Sequence, residues 1–356
     1  MSHHFWRISL FACLALGLSS GLWFSRRVVS SQAAPHAAPN LAGCPMFPTD
    51  NVWNTRIDGL PVHAQSADFI NSIEPTRGLH PDFGAIEWEG APIGIPFTIV
   101  TSAQISVNLT FDAEAAGESD PGPYPIPTNA PVEGNRTEWG DHHILVLEKD
   151  HCLLYEVYNY SNNAFPNPDG SWEAYSGAVF DLKSHALRPD TWTSADAAGL
   201  PILPGLARYD EVAAGEIAHA LRFTANCSAN YYIWPARHRA QRGTCDTPLP
   251  FGLRVRLSSS YTIPDEFSPQ TKVLLQAMKT YGLIFADNGS NWYVTGSPNP
   301  GWDDEALVDE LGQVHGSDLE VVDTSSLFYT ADSGQIKPSA PPFTPTTWIW
   351  LPVIRK

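Results

Sequence analysis

The chain has 356 residues, a formal net charge of −17 and a hydrophobic share of 43%. That charge argues against nucleic acid, whose phosphates need basic partners, and against a strongly polyanionic substrate. The apolar share and 12 tryptophans exclude a disordered spacer, while 31 prolines and 26 glycines call for many turns.

Residues 8–24 form one apolar run behind Arg7, so 1–33 read as a signal peptide or a signal-anchor. Residues 34–43 read as a Pro/Ala-rich spacer, 44–335 as a single domain, and 336–356 as a Pro-rich tail with an edge strand as one option. The expected location is outside the cell, secreted or held at the surface by residues 8–24. Any membrane contact is expected through that anchor alone. Beyond Cys13, the four cysteines Cys44, Cys152, Cys227 and Cys245 give an even count. In an exported chain this reads as two disulfides with three possible connectivities. We favour Cys227–Cys245 as a local loop and Cys44–Cys152 as a tether to the N-terminus.

In chain order, Ser66 caps a short helix over 66–73, and 92–100 and 104–111 read as strands. Residues 117–138 are too proline-rich for a central strand and read as a binding loop or lid. The densest stretch follows. Runs 142–148 and 151–158 predict a β-hairpin with its turn at Lys149-Asp150. That register puts Ile144 opposite Tyr155 and Val146 opposite Leu153 on a core face. His143 then sits opposite Glu156, and Asp141 opposite Tyr158, on the other face. Two carboxylates, an imidazole and a phenol on one patch suit general acid/base chemistry.

Asn163, Asn167 and Asp169 make the next loop oxygen-rich without EF-hand spacing. A strand is expected over 172–182 and a one-turn helix over 193–199. Residues 216–223 fit either a strand or a helix, and Glu216 is the candidate second carboxylate. Residues 230–239 mix aromatic and basic groups, and 250–257 alternate as a strand. Trp172, Arg222, Trp234, Arg237 and His238 are the expected substrate contacts, through ring stacking and hydroxyl or carboxylate binding. Pro269–Tyr281 is the clearest helix, capped by Ser268 and stopped by Gly282. A hairpin of 283–286 with 292–295 puts Asp287 in its turn, where a turn former ahead of Asn-Gly is the commoner role and a catalytic or cation-binding acid the alternative. Trp302–Leu311 reads as a short acidic helix.

Nucleophile-elbow, Walker, zincin and dinucleotide motifs are missing from the sequence. His142 and His143 point to opposite faces of a strand, which does not favour a shared metal. No cofactor is expected, and only a structural cation is left open. The runs Ser194–Leu206 and Tyr281–Tyr293 resemble stretches of an uncharacterised family of secreted bacterial β-rich proteins. The resemblance extends over 45–325 and implies no activity.

The expected fold is mostly β: an antiparallel β-sandwich of jelly-roll type with a few peripheral helices. The expected function is that of a secreted glycoside hydrolase acting on a polysaccharide or other glycan. Glu156 is the acid/base or nucleophile, Asp141 or Glu216 its partner, and His143 and Tyr158 the positioning groups. The alternatives are a polysaccharide lyase and a carbohydrate-binding or cell-surface protein without catalysis. In the lyase, Tyr158 or His143 acts as base and Arg222, Arg237 or Arg254 neutralises a uronate.

Overall fold

The computed structural model describes residues 37–136, 141–159, 166–167 and 170–338. The expected signal segment, most of the oxygen-rich loop and the tail beyond residue 338 lie outside these residues. Two sheets carry the structure. Their strands are β1 (His80–Asp82), β2 (Phe97–Val100), β3 (Ile144–Glu148), β4 (Leu153–Tyr158) and β5 (Ser176–Asp181), followed by β6 (Leu221–Ala225), β7 (Arg254–Leu257), β8 (Leu283–Asn288), β9 (Tyr293–Thr295) and β10 (Leu319–Val321). The smaller sheet runs β5-β4-β3-β2 and the larger β10-β7-β8-β6-β9-β1.

The chain is mostly β, with helices α1 (Ser66–Ser72), α2 (Tyr209–Ala214), α3 (Pro269–Thr280) and α4 (Asp304–Leu311). The pairing is mixed, which corrects the expected antiparallel sandwich: β2 runs parallel to β3, β6 to β8 and β9 to β1. The cause is visible in the larger sheet. Leu221, Phe223, Leu283, Ile284, Phe285 and Ala286 are all buried. Such unbroken apolar runs suit strands covered on both faces, the condition under which parallel pairs occur. The expected 283–286/292–295 hairpin is also corrected. β6 inserts between β8 and β9 and pairs with both, so Asp287 ends a strand rather than forming a hairpin turn.

Residues 144–158 do form a hairpin, with a four-residue turn instead of two. Glu148 pairs with Leu153, and Glu148 caps the turn by accepting the N–H groups of Asp150 at 2.8 Å and His151 at 3.2 Å. Ile144 therefore faces Val157, and Leu145 faces Glu156. A shift of two residues preserves the faces, so His143, Glu156 and Tyr158 stay on one side. That side is not open. Leu145, Leu147 and Leu154 on it join the main core with the larger sheet, while Ile144, Val146 and Val157 pack under the 107–132 segment. The proline-rich stretch thus covers a sheet face through Tyr124, Ile126, Ala130 and Val132.

Both favoured disulfides are present, Cys44–Cys152 and Cys227–Cys245. The first ties the N-terminal segment to the hairpin turn. Helix α3 matches its expected span to within one residue, and the Ser268 side chain accepts the N–H of Thr271. The 216–223 ambiguity resolves towards the strand: α2 ends at Ala214 with a left-handed stop at Gly215, 216–220 are irregular, and β6 begins at Leu221. No helix forms at 193–199; that stretch is a tight turn. Among the described residues, no helix is long and apolar enough to cross a membrane.

Candidate functional site

The turn at 193–200 is built around Asp196. Its Oδ1 accepts the N–H groups of Ala198 at 2.8 Å and Leu200 at 3.2 Å, and its Oδ2 accepts from Arg222 Nη2 at 2.9 Å. Ser194 Oγ accepts the N–H of Asp196. Gly199 closes the loop with φ +68°, and a Cβ there would meet the carbonyl oxygen of Trp192 at 2.5 Å, so only glycine fits. Asp287, at the end of β8, brings a second carboxylate to the same Arg222 nitrogen, at 3.8 Å.

Ser194, Asp196 and Asp287 form one wall of a cavity of about 330 Å³. Asp141, His143, Tyr158 and His238 line it together with Asp196 and Asp287. Its floor (His143, Ser176, Ser194 and Asp196) is buried, while Glu114, Asp141 and Arg242 at the rim are exposed. Tyr158 packs beside the His143 ring at 5.4 Å and edge-on to Tyr175 at 5.6 Å.

His143 is held at both ring nitrogens. Nδ1 faces Glu133 Oε2 at 2.5 Å and Nε2 faces the Ala195 carbonyl at 2.9 Å. Both partners accept, so both nitrogens donate and the ring is an imidazolium. Burial opposes that charge, but Glu133 outweighs it and the imidazolium holds its proton up to about 9. Glu133 is in turn lowered, because His143 overrides its burial.

Glu156 does not reach the cavity, which corrects its assignment to an open catalytic face. Its exposure is 0%. Both carboxylate oxygens accept the Ile202 N–H, at 3.0 and 2.8 Å, and Oε1 accepts that of Leu203 at 2.9 Å. Glu156 thereby anchors the start of the Leu203–Gly205 turn. Glu216 is likewise elsewhere, on a second cleft with Arg56, Lys272 and Tyr281.

The expected substrate contacts divide in the same way. Trp172 is buried under the smaller sheet. Trp234 lines a separate groove with Phe328. Arg237 is buried, with its guanidinium on the carbonyls of Arg188 and Ala331 and on Asp332. Arg222 lies behind the cavity wall and grips Asp196, so only His238 of this group lines the cavity.

Sequence reasoning did not single out Asp82, Glu133 or Asp196. Asp196 and Asp287 do fall in the two runs that carry the resemblance, and Asp287 stands in the sequence as the less favoured catalytic or cation-binding candidate. Among the described residues, no group of three or more His, Cys, Asp or Glu is arranged to hold a metal ion.

The carboxyls Glu133, Asp141, Glu156, Asp196 and Asp287 are electrostatically linked to one or both of two cations, Arg222 and His143, and Asp82 joins the cluster through Glu133 and Asp141. Acids outnumber bases, so some acids retain protons. Burial and then Asp196 push Asp287 up to about 7, against Arg222. Burial pushes Glu156 to about 7 and Asp196 to about 6, each opposed by Arg222 and backbone N–H groups. Asp82 rises to about 6 through burial and then Glu133 and Asp141.

A carboxyl raised in the folded state binds a proton that the unfolded chain has lost. Its contribution is complete below the unfolded value near 4 and disappears as pH rises through 6 to 7. His143 acts in the same direction, its share lost as pH rises through about 9. Within the cluster, Glu133 has the opposite sign, with its share lost on acidification. Urea denaturation should therefore show stability falling by at least about 2 kcal/mol from pH 5 to pH 8. A flat or rising profile would contradict this account of the cluster.

No protein-family model, curated protein or solved structure matches the chain.

Proposed function

We propose that the chain is an exported glycoside hydrolase whose site is this cavity. The observation that supports the reading is a division of labour between two carboxyls on one polar wall. Asp287 keeps its proton near neutrality and faces the cavity, while Asp141 stands exposed at the rim. Glycoside hydrolysis needs this pair, a proton donor for the leaving oxygen and a carboxylate for the anomeric carbon.

In the proposed reaction, Asp287 donates its proton to the glycosidic oxygen as the C–O bond breaks. Asp141 works at the anomeric carbon as base for a water or as nucleophile; the anomer first released tells these apart. The His143 imidazolium holds the Ala195 carbonyl, and through it the Asp196 turn that keeps Arg222 beside Asp287. Tyr158 and Tyr175 offer ring faces to the sugar. Export is supported by the two disulfides, which persist in oxidising compartments.

Elimination is less well supported. His143 has both nitrogens engaged with acceptors, which leaves it no base function. Arg237 and Arg254 bind backbone carbonyls, Arg222 Nη2 binds Asp196, and none of the three lines the cavity where a uronate would sit.

Mass spectrometry of products from a polysaccharide panel tests the reading. Fragments carrying one added water are expected. Unsaturated fragments would replace hydrolysis by elimination, and no fragments from any glycan would end the enzymatic reading.

A further inference from the structure

Trp88 is 69% exposed, although a tryptophan gains more than any other side chain from being covered. It sits on a two-stranded ribbon, Glu87–Trp88 paired antiparallel with Ala91–Pro92. The two turn residues, Glu89 and Gly90, have φ of 53° and 84°, the left-handed pair required by the tightest hairpin. The ribbon is held from both ends. Asp304 accepts the N–H groups of Ala85 at 2.7 Å and Ile86 at 2.9 Å. Ala91 is buried, and Ala91–Pro92 pack against the Glu133–Arg136 turn.

That turn connects the ribbon to the cavity, because Glu133 grips His143 on the cavity floor. The ribbon also leaves the end of β1, where Asp82 is within electrostatic reach of Glu133 and Asp141. Ile86, two residues before Trp88, is also exposed, at 57%. Glu87 and Glu89, its neighbours in sequence, are exposed as well. An exposed indole with charged neighbours, on a ribbon packed against the turn that holds His143, is poorly matched to a large apolar protein surface. It matches a pyranose ring, whose C–H face stacks on the indole while its hydroxyls stay hydrated.

We infer that Trp88 is a binding platform for a sugar unit of the glycan whose scissile linkage lies in the cavity. This rests on the proposed hydrolase reading and adds a second contact point to it, so the site binds oligomeric substrates more tightly than single-sugar ones.

The test is affinity electrophoresis of the full chain in gels containing hydroxyethylcellulose, β-glucan, xylan, galactomannan or glycol chitosan. Asp287→Asn serves as the background, to prevent cleavage in the gel. Retardation is expected in at least one gel, with the apparent dissociation constant raised about tenfold by added Trp88→Ala. Trp88→Ala alone should leave hydrolysis of an aryl monosaccharide unchanged while raising KM on oligosaccharides. Equal retention with and without Trp88 would overturn the platform, as would no retention in any gel. Equal loss on short and long substrates would reassign Trp88 to structure, and a shift from dimer to monomer in Trp88→Ala would reassign it to a contact between copies. Failure of the hydrolase reading is separable: wild type would then show Trp88-dependent retention without turnover.

Discussion

Arg222→Met is expected to destabilise the protein by about 3–5 kcal/mol at pH 8, the cost of removing one partner from a buried ion pair. Arg222 is 2% exposed, and its Nη2 holds Asp196 while approaching Asp287. Methionine fills similar volume, so packing loss is small and the effect is electrostatic. Without the guanidinium, the acid cluster keeps one cation, His143. At pH 8 the site must then bury uncompensated negative charge or take up protons against the bulk.

At pH 5 protons are available and the same carboxyls, already raised by burial, neutralise at lower cost. The loss in Arg222→Met should therefore be smaller at pH 5 than at pH 8. Urea denaturation of both proteins at the two pH values measures it. A pH-independent loss would show that packing, not charge, is what Arg222 contributes. A loss under about 1 kcal/mol at pH 8 would mean that Asp196 keeps its geometry without a cation.

The hairpin, the α3 helix and both disulfides were legible because each rests on a local signal. These were two apolar runs around a turn, a Ser-Pro start with a glycine stop, and four cysteines in an exported chain. The site was legible only in part. His143, Tyr158 and Asp141 were placed together because alternation along a strand survives a register shift of two. Glu156 was misplaced for a reason visible afterwards: Ile144 to Leu147 is apolar on both parities, the mark of a strand buried on two sides. An acid on such a strand faces protein, not substrate.

Asp196 and Asp287 lay beyond reach for a different reason. They are 91 positions apart in sequence, and only the parallel β6–β8 pairing brings Arg222 alongside Ile284, three residues before Asp287. Strand order is a long-range property, and periodicity carries no record of it. For Asp287 the sequence ranks a turn former above a catalytic or cation-binding acid, because Asp-Asn-Gly is turn chemistry wherever it occurs. The insertion of β6 between β8 and β9 converts that residue from a turn former to a wall of the cavity.

Asp287→Asn is expected to lower kcat on a glycan about 10³-fold while changing KM by no more than a few-fold, the usual range for losing a general acid. The amide keeps the size and the hydrogen-bonding outline of the acid but has no proton to give. The loss should shrink on an aryl glycoside with a good leaving group, because a phenolate departs with little protonation. The pH profile supplies the independent readout. The wild-type proton is present below about 7, so wild-type kcat should fall as pH rises through that value. In Asp287→Asn this alkaline limb should be absent. The variant also removes one acid from a cluster with too few cations, so it should be more stable than wild type at pH 8, by about 1 kcal/mol. A variant that is stabilised yet catalytically silent would separate Asp287's chemical role from any structural one. A variant retaining kcat within threefold would remove Asp287 from the reaction and leave Asp141 without its partner.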